Sequence, residues 1–259
     1  MSNLAKSAYH PEPYWDEVAQ RIANREEGRI IAGDDEPYYR YKRAQFLKLL
    51  RQLPAQNKKV LEVGFGPGGN LAEIADLYPA ELHGADISKE MIELAKQTLG
   101  DEAQLVKVDG AHLPYADNYF DLVFTSTVLQ HNTDDRMLRL LVKEICRVSG
   151  NDVFIFERIE KRVKGNLLCL GRPVKDYENL FSKSGFHLVN TRFLNIQVSH
   201  LVLSTVRKLF NRSSRLEGEA QSNFSTGLQN LLLPLTSKLD KWYKVDSNLG
   251  MLHFQKNKS

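Results

Sequence analysis

The residues with the clearest chemical pattern lie in one short segment, Glu62-Val63-Gly64-Phe65-Gly66-Pro67-Gly68-Gly69, at the end of an apolar run. A glycine turn between a strand and a helix lets the backbone approach a nucleotide closely, because a Cβ would collide there. Gly64, Gly66 and Gly69 also fit the GxGxxG pattern of dinucleotide sites. The glycines alone therefore leave the identity of the bound nucleotide open.

Three acidic residues help to distinguish a dinucleotide site from a site for another nucleotide cofactor. Glu62 stands two residues before the first glycine, where a dinucleotide site would gain nothing from an acid facing a pyrophosphate. Asp86 ends the second apolar run, 22 residues after Gly64, which suits a carboxylate that accepts hydrogen bonds from ribose hydroxyls. Asp109 ends the third run, where a side-chain acceptor can meet the exocyclic amine of an adenine. The spacing favours an adenosine cofactor other than a dinucleotide.

With these acids in register, residues 58–157 resemble the class I S-adenosylmethionine-dependent methyltransferases, specifically the small-molecule subgroup of types 11 and 25 with an ExGxGxG turn. The resemblance implies S-adenosylmethionine as cofactor and S-adenosylhomocysteine as product. It also implies a set of cofactor-binding positions: Glu62, Gly64, Gly66, Gly68, Asp86, Ile87, Met91, Asp109, Gly110 and Ala111.

The same resemblance implies a role for each position. The amino-acid end of the cofactor is bordered by Glu62 and Gly64, and the turn passes beneath it at the next two glycines. Asp86 binds both ribose hydroxyls, and Asp109 binds the adenine amine. The remaining positions lie against the adenine: Ile87, Met91, Gly110 and Ala111.

His131 is the candidate catalytic base. Methyl transfer from a sulfonium needs alignment above all, but a hydroxyl or acidic carbon acceptor also needs a base. His131 follows the fourth apolar run, and strand carboxyl ends form the ligand crevice of a doubly wound sheet. Its imidazole titrates near neutrality, and some related methyltransferases use a histidine here. The alternative is that His131 bonds to the next helix or only lines the pocket.

Glu157 is the second catalytic candidate because it ends the fifth apolar run, beside the expected place of His131. There it would orient the imidazole or take up the proton itself. The alternative is a plain ion pair with Arg158 or Lys161.

Four residues are candidates for acceptor binding. Tyr38 and Tyr41 follow a Gly/Pro break and are expected to fold over the cofactor as aromatic walls of the pocket, unless they only begin a solvated helix. Arg172 and Tyr177 are expected to hold an anionic acceptor, since an arginine near a crevice suits a carboxylate or phosphate. The histidines show no metal-ligand spacing, so no metal is expected.

The elements that must position these residues alternate between short apolar runs and amphipathic helices. Such alternation predicts an α/β fold, a doubly wound Rossmann-like sheet with helices on both faces. The resemblance implies seven mostly parallel strands with the last antiparallel. The predicted division is a helical lid at 1–57, the cofactor-binding core at 58–198, a helical insertion at 199–246 and the last strand and tail at 247–259.

The insertion leaves three alternatives, ranked in this order: a cap on the acceptor pocket, a dimer element, or a contact with a membrane surface. Leucines at helical spacing favour the first two, whereas Trp242 among Lys238, Lys241 and Lys244 is typical of interfacial helices. A monomer and a homodimer both remain open.

The composition describes a globular chain of 259 residues that is 42% hydrophobic, has a net charge of +3 and contains two cysteines. The first residues predict no signal peptide, and no apolar run reaches the roughly 20 residues that a membrane span requires. These features predict a cytoplasmic protein and argue against nucleic acid as a partner. The resemblance implies that the substrate is a small molecule. Two alternatives stay open: an NAD-dependent oxidoreductase on the same turn, and a protein that binds the cofactor without catalysis.

Overall fold

The computed structural model describes residues 11–23, 36–212, 221–244 and 246–258. Its helices are α1 (Pro11–Ala23), α2 (Pro37–Leu50), α3 (Gly69–Ala75), α4 (Lys89–Leu99), α5 (Asp135–Val148), α6 (Val174–Ser182), α7 (Gln197–Phe210) and α8 (Asn223–Asp240). Its strands are β1 (Lys59–Val63), β2 (Glu81–Asp86), β3 (Gln104–Lys107), β4 (Phe120–Ser126), β5 (Ser149–Ile159), β6 (Lys164–Gly165), β7 (Leu170–Gly171), β8 (Phe186–Phe193) and β9 (Asn248–Lys256).

Seven of these strands form one sheet in the order β3-β2-β1-β4-β5-β9-β8. The pairs on the β3 to β5 side are parallel, and β9 runs antiparallel to both of its neighbours. The predicted Rossmann-like sheet with an antiparallel last strand is confirmed. The short β6–β7 hairpin after β5 was not predicted from the sequence.

The sheet separates two apolar cores because successive side chains of a strand point to opposite faces. In β1, Val60 packs into the core that contains α2 to α4, while Leu61 packs into the core of α5 and α6. Both side chains are fully buried. Strands covered on both faces read as continuous apolar runs, which is why they were visible in the sequence.

Helices α7 and α8 lie where the sequence predicted an insertion. Ser199 near the start of α7 bonds to Asp240 at the end of α8, and Phe210 at the other end contacts Phe224, so the two helices run antiparallel. They pack against α2. Within the part of the chain that the structure describes, no helix has the length and apolarity to cross a membrane.

Candidate functional site

A cavity of about 230 Å³ opens at the carboxyl ends of β1, β2 and β4. Seven of the ten predicted cofactor positions line it: Gly64, Gly66, Asp86, Ile87, Met91, Asp109 and Gly110. Glu62, Gly68 and Ala111 are neighbours in sequence of lining residues but do not themselves line this cavity. The parallel sheet therefore brings the ends of three separate apolar runs to one place.

The turn after β1 needs glycine for two reasons. Gly64 has a φ of 73°, in the left-handed region, and a Cβ there would stand 2.2 Å from a methyl carbon of Val128. Gly68 has a φ of 85° and is the N-terminal cap of α3. The turn consequently passes close to the loop after β4 with no side chain in between.

Asp86 is almost fully buried at the end of β2. Its Oδ2 accepts a hydrogen bond from the Gly66 N–H and its Oδ1 accepts one from the Ser88 N–H, both at 2.9 Å. Burial raises the pKa of this carboxyl, and the backbone donors work in the opposite direction. Since a carboxylate has about four acceptor sites, two bonds leave it able to accept more.

Asp109 follows β3 and also lines the cavity. Its Oδ1 accepts hydrogen bonds of 2.8 Å from the N–H groups of Ala111 and His112. These donors lower the pKa of the Asp109 carboxyl. Ala111 thus acts by its main chain, holding the carboxylate, rather than by its side chain in the cavity.

Glu62 is completely buried at the end of β1, and burial raises its pKa to about 8. Its Oε1 accepts a hydrogen bond of 2.8 Å from the Asn70 amide, while its Oε2 has no partner among the described residues. Arg43 of α2 donates a hydrogen bond of 2.5 Å to Oδ1 of the same Asn70 side chain. A buried carboxylate oxygen without a partner suits a cationic ligand group.

His131 lines the cavity, and its hydrogen bonds define which ring nitrogen carries the proton. Nδ1 lies 2.7 Å from the Leu168 carbonyl oxygen in the β6–β7 hairpin. Because a carbonyl only accepts, Nδ1 carries a proton, and whenever the ring is neutral Nε2 is the acceptor nitrogen. Nε2 lies 3.3 Å from the side-chain amide nitrogen of Gln130, whose own Oε1 accepts from the Arg158 N–H.

Glu157 has a different place from the predicted one. It is completely buried, and its carboxylate accepts three hydrogen bonds of 2.9 to 3.0 Å from the backbone N–H groups of Val128, Leu129 and Gln130. Burial raises its pKa to about 7. It does not line the cavity. The prediction that Glu157 orients the imidazole is corrected: this carboxylate holds the backbone of the loop before His131.

Arg172 and Tyr177 also lie behind this loop rather than in the cavity. The Arg172 guanidinium, 3% exposed, donates to the carbonyl oxygens of Leu129 and Asn132. Tyr177 is fully buried, and burial raises its pKa. The prediction that these two residues hold an anionic acceptor is therefore corrected, because Arg172 is bonded to main-chain carbonyls and Tyr177 is buried, and neither lines the cavity.

Tyr38 and Tyr41 face the α7–α8 pair, not the cavity. The Tyr38 hydroxyl lies 3.0 Å from Nδ1 of His200, and the Tyr41 hydroxyl donates to Asp240. The prediction of an aromatic wall at these positions is corrected. The lid aromatic is Trp15 of α1, which lines the cavity and meets the His131 ring edge to face at a centroid distance of 5.0 Å.

Sequence reasoning missed Trp15, because its helical spacing with Val18 and Ile22 predicts a helix but does not show which surface the ring covers. It also missed Asp16, which accepts a hydrogen bond from Ser88 at the cofactor end of the cavity. The predicted pocket cap at 199–246 does not line this cavity; α1 does.

Comparison with known proteins finds similarity to methyltransferases, both in a family model and in individual relatives. Residues 60–151 match a family model described as "Methyltransferase domain". "O-methyltransferase cnsE" of Penicillium expansum is 25% identical over 72% of this chain and 77% of its own length. "Phosphoethanolamine N-methyltransferase 2" of Caenorhabditis elegans is 34% identical over 76% of this chain, which spans only 47% of that longer protein.

Solved structures share the fold at low identity. Magnesium protoporphyrin IX methyltransferase of Synechocystis superposes with a TM-score of 0.59 and 12% identity over 95% of both chains. The [4+2]-cyclase SpnF superposes with a TM-score of 0.60 and 15% identity over 83% of this chain and 82% of its own. The fold alone therefore does not specify the reaction.

On this fold, the domain match and the methyltransferase relatives place the chain among the class I S-adenosylmethionine-dependent methyltransferases. Within that class it stands with the enzymes that act on small molecules, and its relatives include both O- and N-methyltransferases. The oxidoreductase alternative is not favoured.

Proposed function

We propose that this protein transfers the methyl group of S-adenosylmethionine to a hydroxyl of a small acceptor, with His131 taking the proton. The observation that carries the proposal is the bond from His131 Nδ1 to the Leu168 carbonyl oxygen, which leaves Nε2 as the acceptor nitrogen of a ring that lines the cavity. A hydroxyl oxygen becomes a good nucleophile as its proton leaves, and an imidazole is suited to accept it near neutral pH.

The residues present fit the cofactor. The partnerless Oε2 of Glu62 suits the ammonium of the methionine part, and Asp86 keeps acceptor capacity for ribose hydroxyls. Asp109, which also lines the cavity, suits the adenine amine. Gly64 lines the same cavity, so its backbone can approach the ligand without a side chain of its own. When bound, S-adenosylmethionine supplies a methyl group already activated on a sulfonium.

The protein's own contribution is alignment and proton transfer. Trp15 and His131, in edge-to-face contact, form an aromatic wall against which a flat acceptor would pack. The acceptor hydroxyl would replace Gln130 at Nε2, since that amide is 3.3 Å away and its bond is long. Exclusion of water by this wall would strengthen the alignment.

An amine is the second acceptor, and the similarity to the nematode N-methyltransferase favours it. An amine that arrives neutral needs no base before transfer, so dependence on His131 distinguishes the two acceptors. We place the activity in the cytoplasm, consistent with Cys146 and Cys169 forming no disulfide.

The test is incubation with methyl-labelled S-adenosylmethionine and a metabolite extract, followed by mass spectrometry of the labelled products. We expect an O-methylated small molecule, and with it a kcat lowered about 100-fold by His131→Asn at unchanged cofactor affinity. His187→Asn, at an exposed histidine, is the matched control. Wild-type turnover in the His131 variant, or an N-methylated product, would overturn the assignment of a base. Cofactor binding with no labelled product would favour the non-catalytic alternative.

A further inference from the structure

Helix α8 buries polar side chains and exposes several large apolar ones. Its buried residues are all polar: Ser225, Gln229, Thr236 and Asp240. Leu232 and Leu233 pack partly against the core. Exposed apolar residues nevertheless recur at helical intervals: Phe224, Leu231, Leu235, Leu239 and, just after the helix, Trp242. A helix on a water-facing surface shows the opposite arrangement. The outward face therefore looks adapted to something other than water.

The polar face is inward because it forms hydrogen bonds with α7 and α2. Asp240 accepts from the Ser199 hydroxyl at 2.5 Å, from the Val198 N–H at 2.8 Å and from the Tyr41 hydroxyl at 3.1 Å. The hydroxyl oxygens of Ser199 and Thr236 also lie within hydrogen-bond distance of each other, at 2.9 Å. These bonds fix the rotation of α8, so the apolar face cannot turn inward without breaking them.

The apolar face extends onto α7. The rings of Phe210 and Phe224 meet at a centroid distance of 4.9 Å, which joins the two helices at one end. Exposure is high across the surface: 65% for Leu201, 75% for Leu231 and 88% for Trp242. We define the outer face as Leu201, Leu209, Phe210, Phe224, Leu231, Leu235, Leu239, Trp242 and Tyr243.

Within α7, α8 and the turn at residues 241–244, the exposed charged side chains are all basic. The only acidic residue within α7 and α8 is Asp240, which is 1% exposed. Exposed lysines stand on both helices and in the turn that follows: Lys208, Lys238, Lys241 and Lys244. In a symmetric dimer through this face, the same patch would meet itself. The lysines would then face other lysines rather than acids, which disfavours a second copy as the occupant.

We propose that the outer face docks on an anionic lipid bilayer. The two helices would lie in the plane of the interface with their leucines and phenylalanines among the acyl chains. Trp242 and Tyr243 would sit at the headgroup level, where amphipathic rings are favoured. The lysines would pair with lipid phosphates and anionic headgroups. This docking goes beyond the proposed methyl transfer, and neither depends on the other.

Vesicle co-sedimentation of the full chain tests the proposal. We expect binding to vesicles of phosphatidylcholine mixed with an equal amount of phosphatidylglycerol, and at most weak binding to phosphatidylcholine alone. The double variant Leu231→Ser/Leu235→Ser should weaken binding to the mixed vesicles about tenfold or more. The double variant Lys238→Glu/Lys241→Glu should weaken binding to a similar extent, because each lysine near an anionic surface adds to the electrostatic attraction.

The matched control is Leu140→Ser/Lys143→Glu, which changes an exposed leucine and an exposed lysine of α5. It should bind as the unchanged protein does. If the protein binds neither kind of vesicle, the proposal is overturned. So would a dimer in sedimentation equilibrium that Leu231→Ser/Leu235→Ser dissociates, because the occupant would then be a second copy. Binding of the leucine variant at the unchanged level would overturn it as well.

Discussion

The hydroxyl of Ser88 donates a hydrogen bond of 2.5 Å to the Asp16 carboxylate, joining α1 to the turn that follows β2. The backbone N–H of the same serine donates to Asp86. One residue thus connects the helix that carries Trp15 to the carboxylate proposed for the ribose. The position of the lid and the shape of the cofactor site are consequently coupled.

Substitution Asp16→Ala should loosen this connection. Loss of a hydrogen bond to a charged group costs about 1.5 to 3 kcal/mol where it is well formed, and we expect the lower end here because Asp16 is partly exposed. The affinity for S-adenosylmethionine should fall about tenfold, as measured by calorimetry. Glu17→Ala, at the next and exposed position of the same helix, is the control. Equal affinities for the two variants would contradict the coupling.

Substitution Asp86→Asn should remove most cofactor affinity. The amide keeps one acceptor oxygen, but it brings an NH₂ group against a backbone N–H and loses the charge. We expect an affinity about 100-fold lower, which corresponds to about 2.7 kcal/mol, in the same calorimetric measurement. Asp101→Asn, in the exposed turn after α4, should bind normally. A folded Asp86 variant with unchanged affinity would rule out the ribose assignment.

Substitution Glu157→Gln should destabilise the fold without touching the cavity. The Gln amide nitrogen would point at backbone donors that the carboxylate now accepts from, leaving at least one of them buried and unpaired. We expect the free energy of unfolding to fall by about 2 kcal/mol, measured by urea titration. Glu178→Gln on the exposed side of α6 serves as the comparison. A stability equal to that of the comparison variant would show that the three bonds contribute little.

Glu62 should make the stability depend on pH. Burial raises its pKa from 4.5 to about 8 in the folded protein, so between these values the folded state binds a proton that the unfolded chain has lost. Its contribution to the stability therefore declines as the pH rises from about 4.5 to about 8. Glu62→Gln has no such group, and its stability relative to the unchanged protein should increase across that window. Urea midpoints at several pH values check this, with Glu90→Gln as control. A constant difference would show that burial does not raise this pKa.

The sequence was sufficient to predict the sheet and most of the proposed cofactor-binding positions that line the cavity. Asp86 and Asp109 each end an apolar run, and parallel strands bring such ends to one edge of the sheet, so periodicity alone placed them together. The prediction of an antiparallel last strand came from the family resemblance, and β9 pairs antiparallel with β5 as expected.

The acceptor end could not be predicted in the same way. His131 is oriented by the main-chain carbonyl of Leu168, and Glu157 accepts hydrogen bonds from main-chain N–H groups. Because nearly every residue type carries such groups, the sequence does not mark these partners. Tyr38 and Tyr41 look like pocket aromatics in sequence, but their partners are 162 and 199 residues away along the chain. Only the tertiary arrangement shows which surface an aromatic residue covers.

The loop before His131 owes its shape to a side chain from a neighbouring strand, because Glu157 bonds to its main chain and not to its side chains. Mutations in the outward side chains of that loop can accumulate with little change in its path. A substitution within the loop therefore changes a side chain around a backbone that Glu157 still holds, whereas a substitution of Glu157 removes three main-chain hydrogen bonds at once.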